Sequence, residues 1–195
     1  MDLVCASANP DKYTEMVQIL SGAVNLIPRP REVPEVIEDE DDLEGNARLK
    51  AVAVQAATGC AAVADDTGLE VDALGGAPGV FSARYAGANA TYEDNVRKLL
   101  EEMKDVDGSK RGARFRTVAL IAWEDGSETI AEGIVEGYIA ATPSGVGGFG
   151  YDSIFVPFSG GGKTFAEMGD KEKNEISHRG EAFRLLKELL GRDNE

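Results

Sequence analysis

Short apolar runs alternate with capped amphipathic stretches along most of this chain, and that alternation constrains its fold more than any other feature. Leu3-Val4-Cys5-Ala6 reads as a buried strand. Behind it Tyr13, Met16, Val17 and Leu20 recur at helical spacing, with Asn9 as N-cap and Pro10 at the first helical position, where a missing N–H costs nothing. Leu43–Thr58 predicts a second helix, halted by Gly59. "CAAVA" (60–64) predicts another buried strand, delivering Asp65 and Asp66 at its C-terminal end. Thr91 and Asp94 have capping-box spacing, and Tyr92, Val96, Leu99, Leu100 and Met103 stripe the helix they open. "RFRTVALIAW" and "ETIAEGIVEGYIA" flank "EDGS" as a β-hairpin. A glycine-rich loop (142–152) leads into the strand "SIFV", and a final helix over 177–190 turns Phe183, Leu186, Leu189 and Leu190 inward and ends at Gly191. Strands alternate with helices except at the hairpin, which predicts an α/β fold on a mixed sheet. Neither a repeat nor a linker divides residues 1–195, so a single domain is expected.

Net charge narrows the partners. At −15, with 35 acidic against 20 basic residues, the chain lacks the basic surface that long nucleic acids require. A small phosphate ligand needs only a few converging cations, N–H groups and a divalent metal, and remains compatible. No apolar run reaches membrane-spanning length and the N-terminus has no leader pattern, so a cytoplasmic protein is expected. Cys5 and Cys60 lie far apart in apolar surroundings and are expected to be buried, reduced core residues.

Four stretches bear chemistry. "SANPDK" (7–12), between a strand and a capped helix, suits an anion: the helix start offers free N–H groups and its positive dipole end, and Ser7, Asn9 and Lys12 can add donors. The adjacent Asp65 and Asp66 repel one another unless a metal ion or a lysine offsets their charge. "FGYD" (149–152) places two aromatics and an aspartate beside close-approach glycines, which suits a heterocyclic base. The single histidine, His178, stands beside Arg179 with Lys171 and Lys173 upstream, a cluster of donors in a cation-poor chain. "SGGGKTF" (159–165) imitates a phosphate-binding P-loop, but Pro157 stands where its first glycine is required; it reads as a turn.

The order of these stretches, "SANPDK", "ADDTGLEVDALGGAPGVFSARYAG", "GGFGYDSIFVP" and "KEKNEISHRGEA", resembles the inosine triphosphate pyrophosphatase family along nearly the whole chain. That resemblance implies Mg²⁺-dependent hydrolysis of non-standard purine nucleoside triphosphates, such as inosine and xanthosine triphosphates in ribo or deoxy form, to the monophosphate and pyrophosphate. It also implies a mixed, twisted sheet with flanking helices and two lobes around an active-site cleft, in a homodimer. Ser7, Ala8, Asn9, Pro10, Asp11 and Lys12 match the triphosphate loop, and Asp66 the general base and metal-associated carboxylate, with Thr67 touching substrate. Phe149, Gly150, Tyr151 and Asp152 match the base-side wall, Lys173 a substrate-contacting lysine, and His178 with Arg179 the pair that reads the purine. The second metal carboxylate falls in the acidic stretch 31–44: counting back from "GNARLKA" selects Glu38, with Glu35 as the fallback. Maf-type pyrophosphatases, which show a more basic first loop, and a catalytically silent nucleotide-binding protein are the alternatives.

Overall fold

The computed structural model describes residues 1–34 and 36–192. In chain order the elements are β1 (Asp2–Cys5), α1 (Pro10–Leu20), β2 (Asn25–Ile27), α2 (Leu43–Thr58), β3 (Ala62–Val71), β4 (Pro78–Gly79), α3 (Tyr92–Glu102), β5 (Gly112–Ala122), β6 (Glu128–Ile139), β7 (Phe155–Pro157), α4 (Asp170–Ile176) and α5 (His178–Arg192). Among the described residues the strands form one seven-stranded sheet in the order β2-β1-β3-β5-β6-β7, with β4 paired to β3. β1 runs parallel to β2 and β3, whereas β4 is antiparallel to β3 and β7 antiparallel to β6. The fold is therefore the expected α/β fold on a mixed sheet.

The chain forms two compact units. One holds residues 1–66, 117–133 and the chain from His178 onward; the other holds 67–116 and 134–177. In the first, Leu3, Cys5 and Val63 from the strands pack against Met16, Leu20, Phe183 and Leu186 from the helices. In the second, Leu69, Val96, Leu99, Phe115, Phe155 and Phe165 form the core, and the Phe115 and Phe155 rings meet edge to face at 4.7 Å between centroids.

Local signals settle the helix starts. Asn9 Oδ1 accepts from the N–H groups of Asp11 and Lys12, and Pro10 occupies the first turn of α1. Asp42 caps α2, which ends on Gly59 in the left-handed region (φ 69°), and Thr91 and Asp94 close the capping box of α3. The hairpin turns through Trp123–Ser127.

Several expectations are corrected. β3 continues five residues past the aspartates, to Val71, so Asp65 and Asp66 lie within the strand and not at its end. Gly68 lies inside the strand, and the left-handed glycines Gly75 and Gly76 fall in the turn that carries the chain from β3 to β4. Val17 is 41% exposed, because α1 buries the face carrying Glu15, Met16 and Leu20. Tyr92 is exposed as well, and Val96, Leu99 and Met103 carry the burial of α3. Cys5 is buried as expected, but Cys60 is exposed, standing between Gly59 and the first residue of β3. The last helix passes through Gly191 to Arg192 and is preceded by a separate seven-residue helix, α4, broken from it by extended backbone at Ser177.

Candidate functional site

Successive side chains of a strand point to opposite faces of the sheet, so Asp65 and Asp66 meet different partners. Asp65 is fully buried and lies 3.1 Å from Lys12 Nζ. Arg179 donates to the same oxygen, Oδ2, from Nη2 at 2.9 Å and from Nε at 3.2 Å. Arg179 Nη1 donates in turn to Glu15 Oε2 at 2.6 Å, so α1, β3 and α5 are tied by a buried chain of four charges. Burial alone would raise the Asp65 carboxyl, but Lys12, Arg179 and Lys50 outweigh it and hold the group well below the usual carboxylate range. The same burial lowers the Lys12 ammonium, against the pull of Asp65.

On the other face, Lys50 of α2 donates to Asp66 Oδ1 at 2.7 Å and lies 3.3 Å from Glu38 Oε1. Here burial wins. It pushes the Asp66 carboxyl up, with Glu38 adding to the rise, although Lys50 and Lys12 pull the other way. For Lys50 the carboxylates of Asp66 and Glu38 outweigh burial and raise the ammonium. The lysine that the sequence argument allowed beside the aspartates therefore exists twice, once on each face.

Neither Lys50 nor Glu15 was singled out from the sequence. Lys50 had a signal: it falls on the stripe Leu43, Ala47, Ala51 and Val54, the buried face of α2, where a charged residue demands a partner. Glu15 sits next to Met16 on the buried face of α1 in the same way.

At the start of α1 the N–H groups expected to be free are taken, those of Asp11 and Lys12 by Asn9 Oδ1 and that of Tyr13 by the Asn9 carbonyl. Ser7 Oγ accepts from the Asn9 N–H at 3.2 Å, and Lys12 is largely buried against Asp65 rather than solvated. Ala8 and Pro10 are exposed, and Asp11 is half-buried. Glu38 is brought beside Asp66 through Lys50; Glu35 lies outside the described residues. Thr67 follows Asp66 within β3. His178 is buried at the first position of α5, where β6 approaches so closely that a Cβ on Gly133 would overlap the His178 carbonyl.

The second unit holds the remaining residues. Lys173 of α4 is buried and donates to Asp152 Oδ2 at 2.6 Å, and Asp152 Oδ2 also accepts the Phe149 N–H at 2.8 Å. Lys173 Nζ stands 4.8 Å from the centroid of the Phe149 ring. A side chain at Gly148 (φ 67°) would overlap the Asp152 carboxylate, so this turn accepts only glycine there. Tyr151 instead turns into the core, where its hydroxyl donates to the Ser82 carbonyl at 2.9 Å. "SGGGKTF" forms a short 3₁₀ turn, and Lys163 pairs with Glu172 at 2.9 Å, in agreement with the rejection of a P-loop.

Fold and charge pattern define an α/β protein with an Asn-capped first helix and buried carboxylate–lysine pairs beside its start. The chain belongs to the Ham1 family, whose profile matches residues 3–189. It is 48% identical over 197 residues to a dITP/XTP pyrophosphatase of Thermus thermophilus, covering 96% of this chain and 91% of that one. The dITP/XTP pyrophosphatase of Streptomyces avermitilis is 44% identical, with 97% and 98% covered. Among solved structures, a HAM1 protein from Coxiella burnetii superposes with a TM-score of 0.88 at 41% identity, over 98% of this chain and 99% of that one.

Proposed function

We propose that this chain is a nucleoside triphosphate pyrophosphatase that hydrolyses inosine and xanthosine triphosphates, in ribo or deoxy form, to the monophosphate and pyrophosphate, removing deaminated purines from the nucleotide pool. The observation that carries the chemistry is Asp66: a buried carboxylate raised above its ordinary range, set beside Lys50 and Glu38. A carboxylate raised in this way is a better proton acceptor near neutral pH. Asp66 takes the proton from the water that attacks the α-phosphorus. Lys12 and the positive dipole end of α1, with the Ser7-to-Asp11 loop, hold the triphosphate, and Thr67 adds a contact. Pyrophosphate is the leaving group.

The donor set suits Mg²⁺. Asp66 and Glu38 offer hard oxygens that already share one cation, Lys50, and Mg²⁺ is commonly held by one or two carboxylates together with substrate phosphates. Bound there, the ion would supply neutralisation of charge developing on the phosphate oxygens. Phe149, Gly150, Tyr151 and Asp152 form the base side with Lys173. His178 is the donor for a purine 6-oxygen, because the Arg179 guanidinium is already engaged by Asp65 and Glu15. Residues 1–195 act as one catalytic domain, in a cytoplasmic homodimer. Among the described residues no helix is long and apolar enough to cross a membrane.

The test is product analysis with inosine triphosphate and ATP, in Mg²⁺ and in EDTA. The expected result is pyrophosphate from inosine triphosphate, with ATP disfavoured by more than the ~10–200-fold that apolar fit provides, and activity abolished by EDTA and restored by Mg²⁺. Release of orthophosphate, equal use of ATP, or full activity in EDTA would overturn it.

A further inference from the structure

Phe149 has its backbone fixed and its ring supported from outside its own loop. Left-handed glycines flank it (Gly148, φ 67°; Gly150, φ 62°), and its N–H is held by Asp152. These restraints place the Cα but leave the side-chain torsions open, and the outer torsion of a phenylalanine is broad. A cavity of about 740 Å³ lies beside the ring, lined by Tyr92, Val96, Leu100, Val146 and Phe149 among others. Lys173 Nζ stands 4.8 Å from the centroid of the Phe149 ring, and the Tyr92 ring lies 5.9 Å from it at an interplanar angle of 41°.

Tyr92 is not spent on the core of α3, being 40% exposed while Val96, Leu99 and Met103 are buried. Its own position is nevertheless well fixed. It is the first residue of α3, immediately after the Thr91 cap, whose N–H and hydroxyl both donate to Asp94. A stiff helix start thus presents an aromatic ring to the one aromatic of the glycine-rich loop that does not turn into the core.

We propose that Tyr92 is a positioning residue for base recognition, fixing the Phe149 ring in the orientation in which it meets the purine. This rests on the reading of Phe149 as part of the base wall. Tyr92 acts through Phe149, so its loss weakens recognition of the base while leaving the phosphates and the attacking water undisturbed.

The experiment compares wild type, Tyr92→Ala, Tyr92→Phe and Phe149→Ala in steady-state hydrolysis of inosine triphosphate. Inorganic tripolyphosphate serves as a competitive inhibitor that has no base. Tyr92→Ala is expected to raise KM about 3- to 10-fold, the range that an aromatic pair supports, with kcat and the tripolyphosphate inhibition constant unchanged; Tyr92→Phe restores KM. An unchanged KM in Tyr92→Ala, alongside a raised KM in Phe149→Ala, overturns the role of Tyr92 alone. An unchanged KM in Phe149→Ala overturns the base-wall reading itself. A parallel rise in KM and in the tripolyphosphate constant, or failure of Tyr92→Phe to restore KM, assigns Tyr92 a merely structural role and also overturns the proposal.

Discussion

Asp65 and Asp66 are neighbours on one strand, both buried, yet their surroundings drive them in opposite directions. On the Asp65 face two cations from α1 and α5 converge on one carboxylate, and the ionised form is strongly favoured. On the Asp66 face one lysine is shared between two carboxylates, and burial prevails. The ratio of cations to carboxylates decides the outcome, since the cost of burial is common to both. A carboxylate saturated with cations serves as a fixed counter-ion that orders Lys12. One with a shared cation is the better fitted to the proposed roles of proton acceptor and metal ligand.

The comparison breaks or sharpens most clearly in turnover. Asp66→Asn is expected to lower kcat for inosine triphosphate by about 10²- to 10⁴-fold, the usual cost of losing a positioned base. The same assay on Asp65→Asn would equal that loss, at unchanged stability, only if the two roles were reversed.

Stability is the second and reciprocal test. Asp65→Asn should cost about 3–5 kcal/mol in denaturant unfolding, because Lys12 stays largely buried without its carboxylate and Arg179 keeps only Glu15. Asp66→Asn should cost less, since an amide oxygen still accepts from Lys50, and Glu38 keeps that lysine paired. The contribution of Asp65 comes from a lowered folded-state pKa, so it is present above the ordinary carboxylate value near ~3.9 and is lost as pH falls below it. The gap between wild type and Asp65→Asn should therefore close in acid. A gap that stays constant with pH would show that lost packing, not lost charge, is being measured.

The smallest effect is a shift in the pH profile. The base must be ionised, so kcat/KM falls as pH drops through the Asp66 pKa, which lies above the ordinary aspartate value. Lys50 favours the ionised form; Lys50→Gln should move the acid limb to higher pH. A limb that moves down, or stays in place, would show that Lys50 does not act on Asp66.

Much of the frame was legible because it is written locally. Asn9 and Thr91 cap the helices they precede, since each accepts from N–H groups two or three residues away. Gly59 ends α2, and the hairpin forms across "EDGS", for equally short-range reasons. The bounds of α2 were legible to the residue. Less legible were features set by what a residue meets across the fold. Val17 and Tyr92 share the period of their helices, yet they stand outside the part of the stripe that the sheet covers. Cys60 has apolar neighbours in sequence but lies in the connection before β3, not in the ladder.

The sequence by itself determined that the chain is an α/β protein with a capped first helix and a pair of acids whose charge had to be met. Only the tertiary structure decided how it is met. Arg179 reaches Asp65 across 114 residues of chain and Glu15 across 164, and Lys50 reaches Asp66 from a different helix. Caps and turns are chosen within a few residues, where the chain is always near itself. Ion partners are chosen by which faces of the sheet the helices cover, and the alternation of side chains along β3 sends one aspartate to each.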